Sequence, residues 1–134
     1  MTEESGFIRG VDFVYIFTED IAKAEAFYGG TLELPELKRY GQMPGVEYQA
    51  GNLTIAVMQP DAFGMPFAKS SQSIAFKVDD VAAAREKLEA AGVSFVADTI
   101  DSGVCHMAFF SDPDGNSLMF HNRYAPADAV PGQG

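Results

Sequence analysis

The amino-acid sequence predicts an α+β fold of two consecutive modules, each with a strand, a helix and three further strands. The first observation is a repeat. FVYIFTEDIAKAEAFY, from Phe13, and SIAFKVDDVAAAREKL, from Ser73, share an alternating stretch, an acidic pair and a helical stretch. The second is that the halves end in similar strand patterns, GNLTIAVM at 51–58 and GNSLMFHN at 115–122. The third is size, because 134 residues that are 47% hydrophobic suit one domain.

Each predicted helix has an acidic residue at its start. Asp20 and Asp80 are placed as N-caps, because apolar residues follow them at i, i+3 and i+7, the spacing of one helix face. These residues are Ile21, Ala24 and Tyr28 in the first half and Val81, Ala84 and Leu88 in the second. Gly29 and Gly92 are suitable helix stops, since glycine tolerates the left-handed conformation that often ends a helix.

Pro, Gly and Ser mark the connections. QPDAFGMPFAKSS predicts a linker at 59–71, which leaves module one at 8–58 and module two at 72–124 within a single domain, 1–124. APADAVPGQG predicts a flexible tail at 125–134. DPDG, at 112–115, suits the four positions of a type I turn. A calcium loop would need further oxygen donors after Gly115, where Ser117, Leu118 and Met119 stand instead.

Charge and composition restrict the partners. A formal net charge of −10 argues against nucleic acid and anionic membranes, and it would favour cationic ligands. The acidic, polar N-terminal segment does not resemble a signal peptide, and no apolar run is long enough for a membrane span. Cys105 is the single cysteine, which fits a reducing compartment. We therefore expect a cytoplasmic protein.

The chain resembles the glyoxalase/bleomycin-resistance/dioxygenase superfamily, also called vicinal oxygen chelate proteins, in FTEDIAKAEAFYGGTLEL, VDDVAAAREKLEAAGV and FFSDPDGNSLMF. The resemblance covers roughly residues 8–124. It implies that the modules form a curled mixed sheet around an open cleft, with helices on the convex side. It also implies a homodimer in which modules pair between chains. It does not define one activity, because the superfamily includes isomerases, dioxygenases, thiol transferases and antibiotic-binding proteins.

The resemblance also locates the positions of metal ligands in metal-using members. Here those positions hold Phe13, Ser73 and Met119. The last strand of module one offers, on one face, Leu53, Ile55 and Val57. A divalent metal needs three or four converging donors such as His, Glu or Asp. We therefore expect no metal and no other cofactor.

If Phe13 and Met119 point into the cleft, strand alternation predicts the rest of its lining. The predicted ligand-binding residues, together with the small Ala75, are Phe13, Tyr15, Phe17, Ile55, Val57, Ser73, Cys105, Met107, Phe109, Met119 and His121. Aromatic rings and thioethers with a few polar tips suit a flat, largely apolar organic ligand. The opposite faces would supply the helix-side core with Val14, Ile16, Ile74, Phe76 and Val78.

Cys105, His106 and His121 are the strongest candidates for chemistry. Neighbouring residues on a strand point to opposite faces, so Cys105 and His106 cannot form a dyad, whereas Cys105 and His121 share a face. A nucleophilic thiolate needs an electropositive setting, which an acidic chain gives little reason to expect. We expect His121 to hydrogen-bond a ligand, and His106 to lie under a helix or at the surface.

The sequence-based hypothesis is a metal-independent protein that binds and sequesters a bulky aromatic small molecule, such as an antibiotic, without altering it. One alternative is a metal-free enzyme of the same fold, of isomerase or lyase type, with His121 as general acid or base. Another is a member retained for a protein interaction. An extract that contains an unaltered ligand would support capture, whereas a transformed ligand would support the enzyme.

Overall fold

The two halves of the chain form two four-stranded mixed sheets in the computed structural model, which describes residues 6–130. The elements of module one are β1 (Val14–Phe17), α1 (Ile21–Glu25), β2 (Glu36–Arg39), β3 (Gly45–Ala50) and β4 (Leu53–Met58). Those of module two are β5 (Ile74–Lys77), α2 (Val81–Ala90), β6 (Ile100–Asp101), β7 (Cys105–Ser111) and β8 (Ser117–Arg123). The predicted α+β fold with two βαβββ modules is confirmed.

Both sheets have the same topology. The strand order is β1-β4-β3-β2 in module one and β5-β8-β7-β6 in module two. In each sheet the first strand of the module pairs in parallel with the last, and the other pairs are antiparallel. Neither sheet closes, so β1 and β5 remain edge strands. No helix within residues 6–130 is long and apolar enough to cross a membrane.

The predicted helix starts are confirmed, and one of the two predicted stops is wrong. The Asp20 carboxylate accepts hydrogen bonds from two backbone N–H groups of α1, and the Asp80 carboxylate accepts one in α2. Gly92, with φ of 93°, follows the end of α2 as predicted. Gly29 does not end the first helix, because the chain continues after α1 as a π-helix, Ala26–Thr31. Within this π-helix the consecutive Phe27 and Tyr28 side chains are both buried.

The helix-side faces of the two sheets share one hydrophobic core. The strand residues of this core are Ile16, Val46, Tyr48, Ile55, Val57, Ala108, Phe110, Leu118 and Phe120. The π-helix contacts both sheets: the Phe27 ring lies 6.5 Å from that of Phe110, and the Tyr28 ring stacks at 6.3 Å on Tyr48. Because these faces meet in the core, the other face of each sheet points away from it. We call these outer surfaces open face one, in module one, and open face two, in module two.

The connection between the modules and the segment after β8 are both anchored by hydrogen bonds. In the connection, a 3-10 helix spans Pro60–Phe63, and the Ser70 N–H donates to Asn116 Oδ1 at 2.7 Å. After β8, the Arg123 guanidinium donates to backbone carbonyls between residues 126 and 129. Residues 131–134 of the predicted tail lie outside the described range, and the flexibility of 125–134 remains a prediction.

Candidate functional site

The predicted ligand-binding residues separate into three groups. Phe13, Tyr15 and Phe17 lie on open face one. The largest group lies on open face two and consists of Ser73, Ala75, Cys105, Met107, Phe109, Met119 and His121. Ile55 and Val57 lie on neither open face. A single chain therefore divides the predicted lining between two surfaces that point away from a common core.

The prediction that Ile55 and Val57 line the cleft is wrong. The parallel register places Val14 beside Ile55 and Ile16 beside Val57, so both β4 residues share the helix-side face. Both are 0% exposed. The physical reason is that β4 is buried on both faces from Ile55 to Met58, so its sequence has no polar alternation that distinguishes one face from the other.

Open face one is an aromatic surface. The Phe13 and Tyr15 rings lie 5.0 Å apart, the Tyr15 and Phe17 rings 5.9 Å apart, and Tyr15 is 49% exposed. The register places Ala56 beside Tyr15 and Met58 beside Phe17, on the same side of the sheet, but both are buried, so β4 adds almost no exposed surface to this face.

A tyrosine that the sequence interpretation missed borders the same face. The Tyr40 hydroxyl donates to Glu47 at 3.0 Å, and its ring packs edge-on against Phe63. Burial, followed by the hydrogen bond to Glu47, raises the pKa of Tyr40 to about 12. Alternation along β3 could have indicated Glu47, which points away from its buried neighbours. Tyr40 and Phe63 lie in connections, where no periodicity shows which way a side chain points.

Cross-strand register arranges open face two in rows. The rows are Ser73–Ser117–Ser111, then Ala75–Met119–Phe109, then Lys77–His121–Met107, and finally Arg123–Cys105. The first row carries hydroxyls, and the Ser73 and Ser117 oxygens lie 2.5 Å apart. The second row is apolar, and the third and fourth contain the basic residues. The face therefore changes from hydroxyl through apolar to basic along the strand direction.

The cysteine and the two histidines lie in three different settings. Cys105 is buried with Sγ 3.1 Å from Ser102 Oγ, and its partner across the sheet is Arg123, so it does not pair with His121. His121 is half-buried on open face two. His106 lies on the opposite face with Nε2 3.4 Å from Asp101 Oδ2, and its side chain is 43% exposed. The prediction that His106 lies at the surface is confirmed.

Asp101 connects His106 to the chain after β8. The Tyr124 hydroxyl donates to Asp101 Oδ1 at 2.7 Å, and the Tyr124 ring lies 4.8 Å from that of His106. The hydrogen bond from Tyr124, followed by that from the Gly103 N–H, lowers the pKa of the Asp101 carboxyl below its ordinary value.

The DPDG turn forms a buried polar network. The Gly115 N–H donates to the Asp112 carbonyl at 3.0 Å, as the predicted turn requires. Asp112 is only 5% exposed, and its carboxylate accepts four hydrogen bonds. The donors are the backbone N–H groups of Asp114 and Asn116, both at 2.9 Å, the Asn116 amide at 2.8 Å and the Tyr28 hydroxyl at 2.6 Å. Burial, followed by the Asp112 charge, raises the pKa of Tyr28 above its ordinary value.

This Asp112 network joins the two modules. Besides the Tyr28 contact, the Asn116 amide donates to the Phe17 carbonyl at 2.9 Å, and Asp114 accepts the Glu19 N–H at 2.9 Å. The turn thus contacts the end of β1, the residues before α1 and the π-helix. Both oxygens of the Asp112 carboxylate accept hydrogen bonds from the protein, and Asp114 accepts one from Glu19. The two aspartates of the turn therefore have a structural role.

The residues present do not fit a divalent metal. The positions that the resemblance assigns to ligands hold Phe13, Ser73 and Met119, and the observed register adds Ala56 as the β4 residue beside Tyr15. None of these supplies an imidazole or a carboxylate. Within residues 6–130, no three His, Cys, Asp or Glu side chains lie close enough together to hold a metal ion.

Two cavities lie away from the predicted aromatic residues. One of about 690 Å³ lies between the modules, with apolar walls that include Leu34, Leu53 and Phe76, and it takes only Ala75 from the predicted lining. A second, of about 370 Å³, lies at the start of α2 beside His106 and Tyr124. Neither contains the aromatic row of open face one, which is a surface in the single chain.

Comparison with known proteins gives one family. A model of the Glyoxalase/Bleomycin resistance protein/Dioxygenase superfamily matches residues 10–120. No curated protein sequence matches significantly. A Bacillus anthracis protein provisionally described as a glyoxalase family member is 22% identical, with a TM-score of 0.74 over 88% of this chain and 98% of its own.

Two further solved structures have the same fold under different descriptions. A lactoylglutathione lyase from Agrobacterium tumefaciens is 18% identical, with a TM-score of 0.69 over 87% of this chain and 96% of its own. A glyoxalase/bleomycin resistance protein/dioxygenase from Nocardioides is 17% identical, with a TM-score of 0.70 over 96% of this chain and 92% of its own. At these identities the likeness establishes the fold and leaves the activity open.

Proposed function

The chain belongs to the Glyoxalase/Bleomycin resistance protein/Dioxygenase superfamily, and we propose that it binds and sequesters a bulky aromatic small molecule without a metal ion. The observation that carries this proposal is the aromatic row on open face one, in which Phe13 and Tyr15 are exposed and Phe17 is half-buried. Exposed aromatic rings in one row offer a flat apolar ligand stacking and area burial. The ligand-position residues Phe13, Ser73 and Met119 lack the donors that metal-assisted chemistry would use.

We propose that the binding cleft forms between two copies of the chain in a cytoplasmic homodimer. In one chain the two open faces point away from the shared core. A cleft lined by open face one on one side and open face two on the other therefore needs a second chain. β1 and β5 are edge strands, whose unpaired backbone groups are available to another chain. Phe7, Ile8 and Val11, which precede β1, are 93%, 74% and 73% exposed, and dimerisation would cover them.

Light scattering at micromolar concentration tests the dimer, with an expected mass twice that of one chain. A monomer mass would remove the intersubunit cleft, although each open face could still bind a ligand weakly.

Substitution of one aromatic residue on each open face tests the ligand surface. Tyr15→Ala and Phe109→Ala should each weaken binding of polycyclic or glycosylated aromatic antibiotics about 2- to 10-fold, the effect of one aromatic contact. Titration by tyrosine fluorescence is direct, because the chain has no tryptophan. Tyr124→Ala is the matched control, since Tyr124 is also 49% exposed but lies beside His106. Equal affinity in all variants would show that these faces do not bind the ligand.

Mass spectrometry of the recovered ligand separates capture from catalysis. Sequestration predicts an unaltered molecule at about one per cleft. A transformed molecule would instead support a metal-free enzyme with His121 as general acid or base.

A further inference from the structure

Open face two has a charge opposite in sign to that of the whole chain. The chain has a net charge of −10. The strands β5, β6, β7 and β8 nevertheless contribute Lys77, His121 and Arg123 to this face, and no Asp or Glu. Asp101 of β6 pairs with His106 on the opposite side of the sheet. This face therefore favours anionic ligand groups, although the net charge of the chain favours cationic ones.

Lys77 and His121 are the basic pair available to a ligand. They are directly paired on the parallel strands β5 and β8, so their backbones are about 4.8 Å apart. Lys77 is exposed, and among residues 6–130 no carboxylate oxygen lies within ion-pair distance of its ammonium group. Arg123 is committed to backbone carbonyls of the segment after β8 and acts as a fixed positive charge at the end of the face.

The apolar row is one step from this basic pair. Phe109, which is half-buried, and Met119, which is 8% exposed, lie two strand positions from the row of Lys77 and His121, which is about 7 Å along the strands. A fused two-ring aromatic system has about the same length. A ligand with its rings on Met119 and Phe109 can thus place a substituent at Lys77 and His121. A cationic substituent would be repelled there, whereas an anion would accept charge-assisted hydrogen bonds.

We infer that the ligand is an aromatic anion, with a carboxylate, sulfonate or phosphate bound by Lys77 and His121 and its rings on Met119 and Phe109. This inference rests on the proposed binding function and narrows its ligand class. It reverses the preference for cationic ligands that the net charge suggests.

Two fluorescent probes that differ by one charge test the inference. 1-Anilinonaphthalene-8-sulfonate and N-phenyl-1-naphthylamine have the same rings, and only the first carries a sulfonate. The sulfonate should bind the wild-type protein at least about tenfold more tightly, which is the effect of one hydrogen bond between charged groups. Phe109→Ala should weaken binding of both probes, which places them on open face two.

Variants of two lysines test whether Lys77 causes the preference for the sulfonate probe. Lys77→Gln should reduce the sulfonate preference to about threefold or less, and Lys77→Arg should retain it. Lys87→Gln is the control, because it removes the same charge from an exposed lysine that pairs with Glu33 instead. Equal affinity for both probes in the wild type would overturn the inference and leave aromatic capture intact. Failure of both probes to bind would reject the proposed function together with the inference.

Discussion

The two modules share one backbone plan and differ where their helices end. In both, an aspartate caps the helix, and the first strand pairs in parallel with the last. α2 continues as a regular helix for ten residues, whereas α1 has five and then widens into the π-helix. The π-helix presents Phe27 and Tyr28 to the core, and α2 has no equivalent aromatic pair.

The modules differ again in the turn before the last strand. β3 and β4 are joined by the exposed residues Gly51 and Asn52, while β7 and β8 are joined by the turn that contains the buried Asp112. The two regions that differ are in contact with each other, because the Tyr28 hydroxyl of the π-helix donates a hydrogen bond to Asp112 of the turn. The comparison indicates that a repeated module keeps its common plan and departs from it where the two copies meet.

The largest expected effect is that of removing the Asp112 carboxylate. Asp112→Ala leaves a buried tyrosine hydroxyl, a side-chain amide and two backbone N–H groups without their acceptor. We expect the free energy of unfolding to fall by about 3 kcal/mol or more, measured by urea denaturation. Asp98→Ala, at an exposed position in a connection, is the control and should change it by less than about 0.5 kcal/mol. Similar losses in both variants would mean that the network does not stabilise the modules.

A smaller effect is expected for Tyr28→Phe, which removes one donor and keeps the ring. The loss should be about 1.5–3 kcal/mol, because a hydrogen bond to a buried carboxylate is removed while Asp112 keeps three donors. Tyr48→Phe is the matched control, since Tyr48 is also buried and stacks on Tyr28. Its hydroxyl makes no hydrogen bond with any described residue, so its loss should be less than about 1 kcal/mol. In Asp112→Ala, the Tyr28→Phe change should lose most of its effect, and full additivity would contradict a direct contact.

The sequence predicts those parts of the fold that depend on local patterns. The capped helices, the order of strands and the DPDG turn are confirmed because each is specified by residues a few positions apart. The helix stop at Gly29 is wrong because burial of Phe27 and Tyr28 in the shared core outweighs the local preference of glycine to end a helix. The faces of β4 are wrong because that strand is buried on both sides.

The features that join distant parts of the chain are not predictable in this way. Tyr28 and Asp112 are 84 positions apart in the sequence. No local pattern indicates that a tyrosine hydroxyl of the first helix and a carboxylate of the late turn form a hydrogen bond. The face of Lys77 is predictable from the sequence, because strand alternation from Ser73 and Ala75 places it on the same side of the sheet. The ligand-binding role of all these face residues remains a prediction, since sharing a face does not establish what binds there.

The smallest expected effect concerns β2 and β6, the strands at the far edge of each sheet, which are held by different side-chain contacts. In module one Arg39 pairs with Glu25 and Glu36, whereas in module two Asp101 accepts the Tyr124 hydroxyl and lies beside His106. Tyr124→Phe removes the main cause of the lowered Asp101 pKa, so this pKa should rise toward its ordinary value. An NMR titration of the Asp101 carboxyl carbon measures the change.

The sign of the effect on stability follows from the direction of that shift. A carboxyl whose pKa is lower in the folded state contributes stability above its unfolded pKa, about 3.9, and loses it as the pH falls through the folded value. The wild type should therefore have the higher melting temperature of the two at pH 6, and this difference should narrow as the pH falls through the folded pKa of Asp101 and the carboxyl is protonated in both proteins. Arg39→Gln, at the other edge, should leave the Asp101 titration unchanged. If it shifted the Asp101 pKa, the charge at one edge would be coupled to the titration at the other through the shared core.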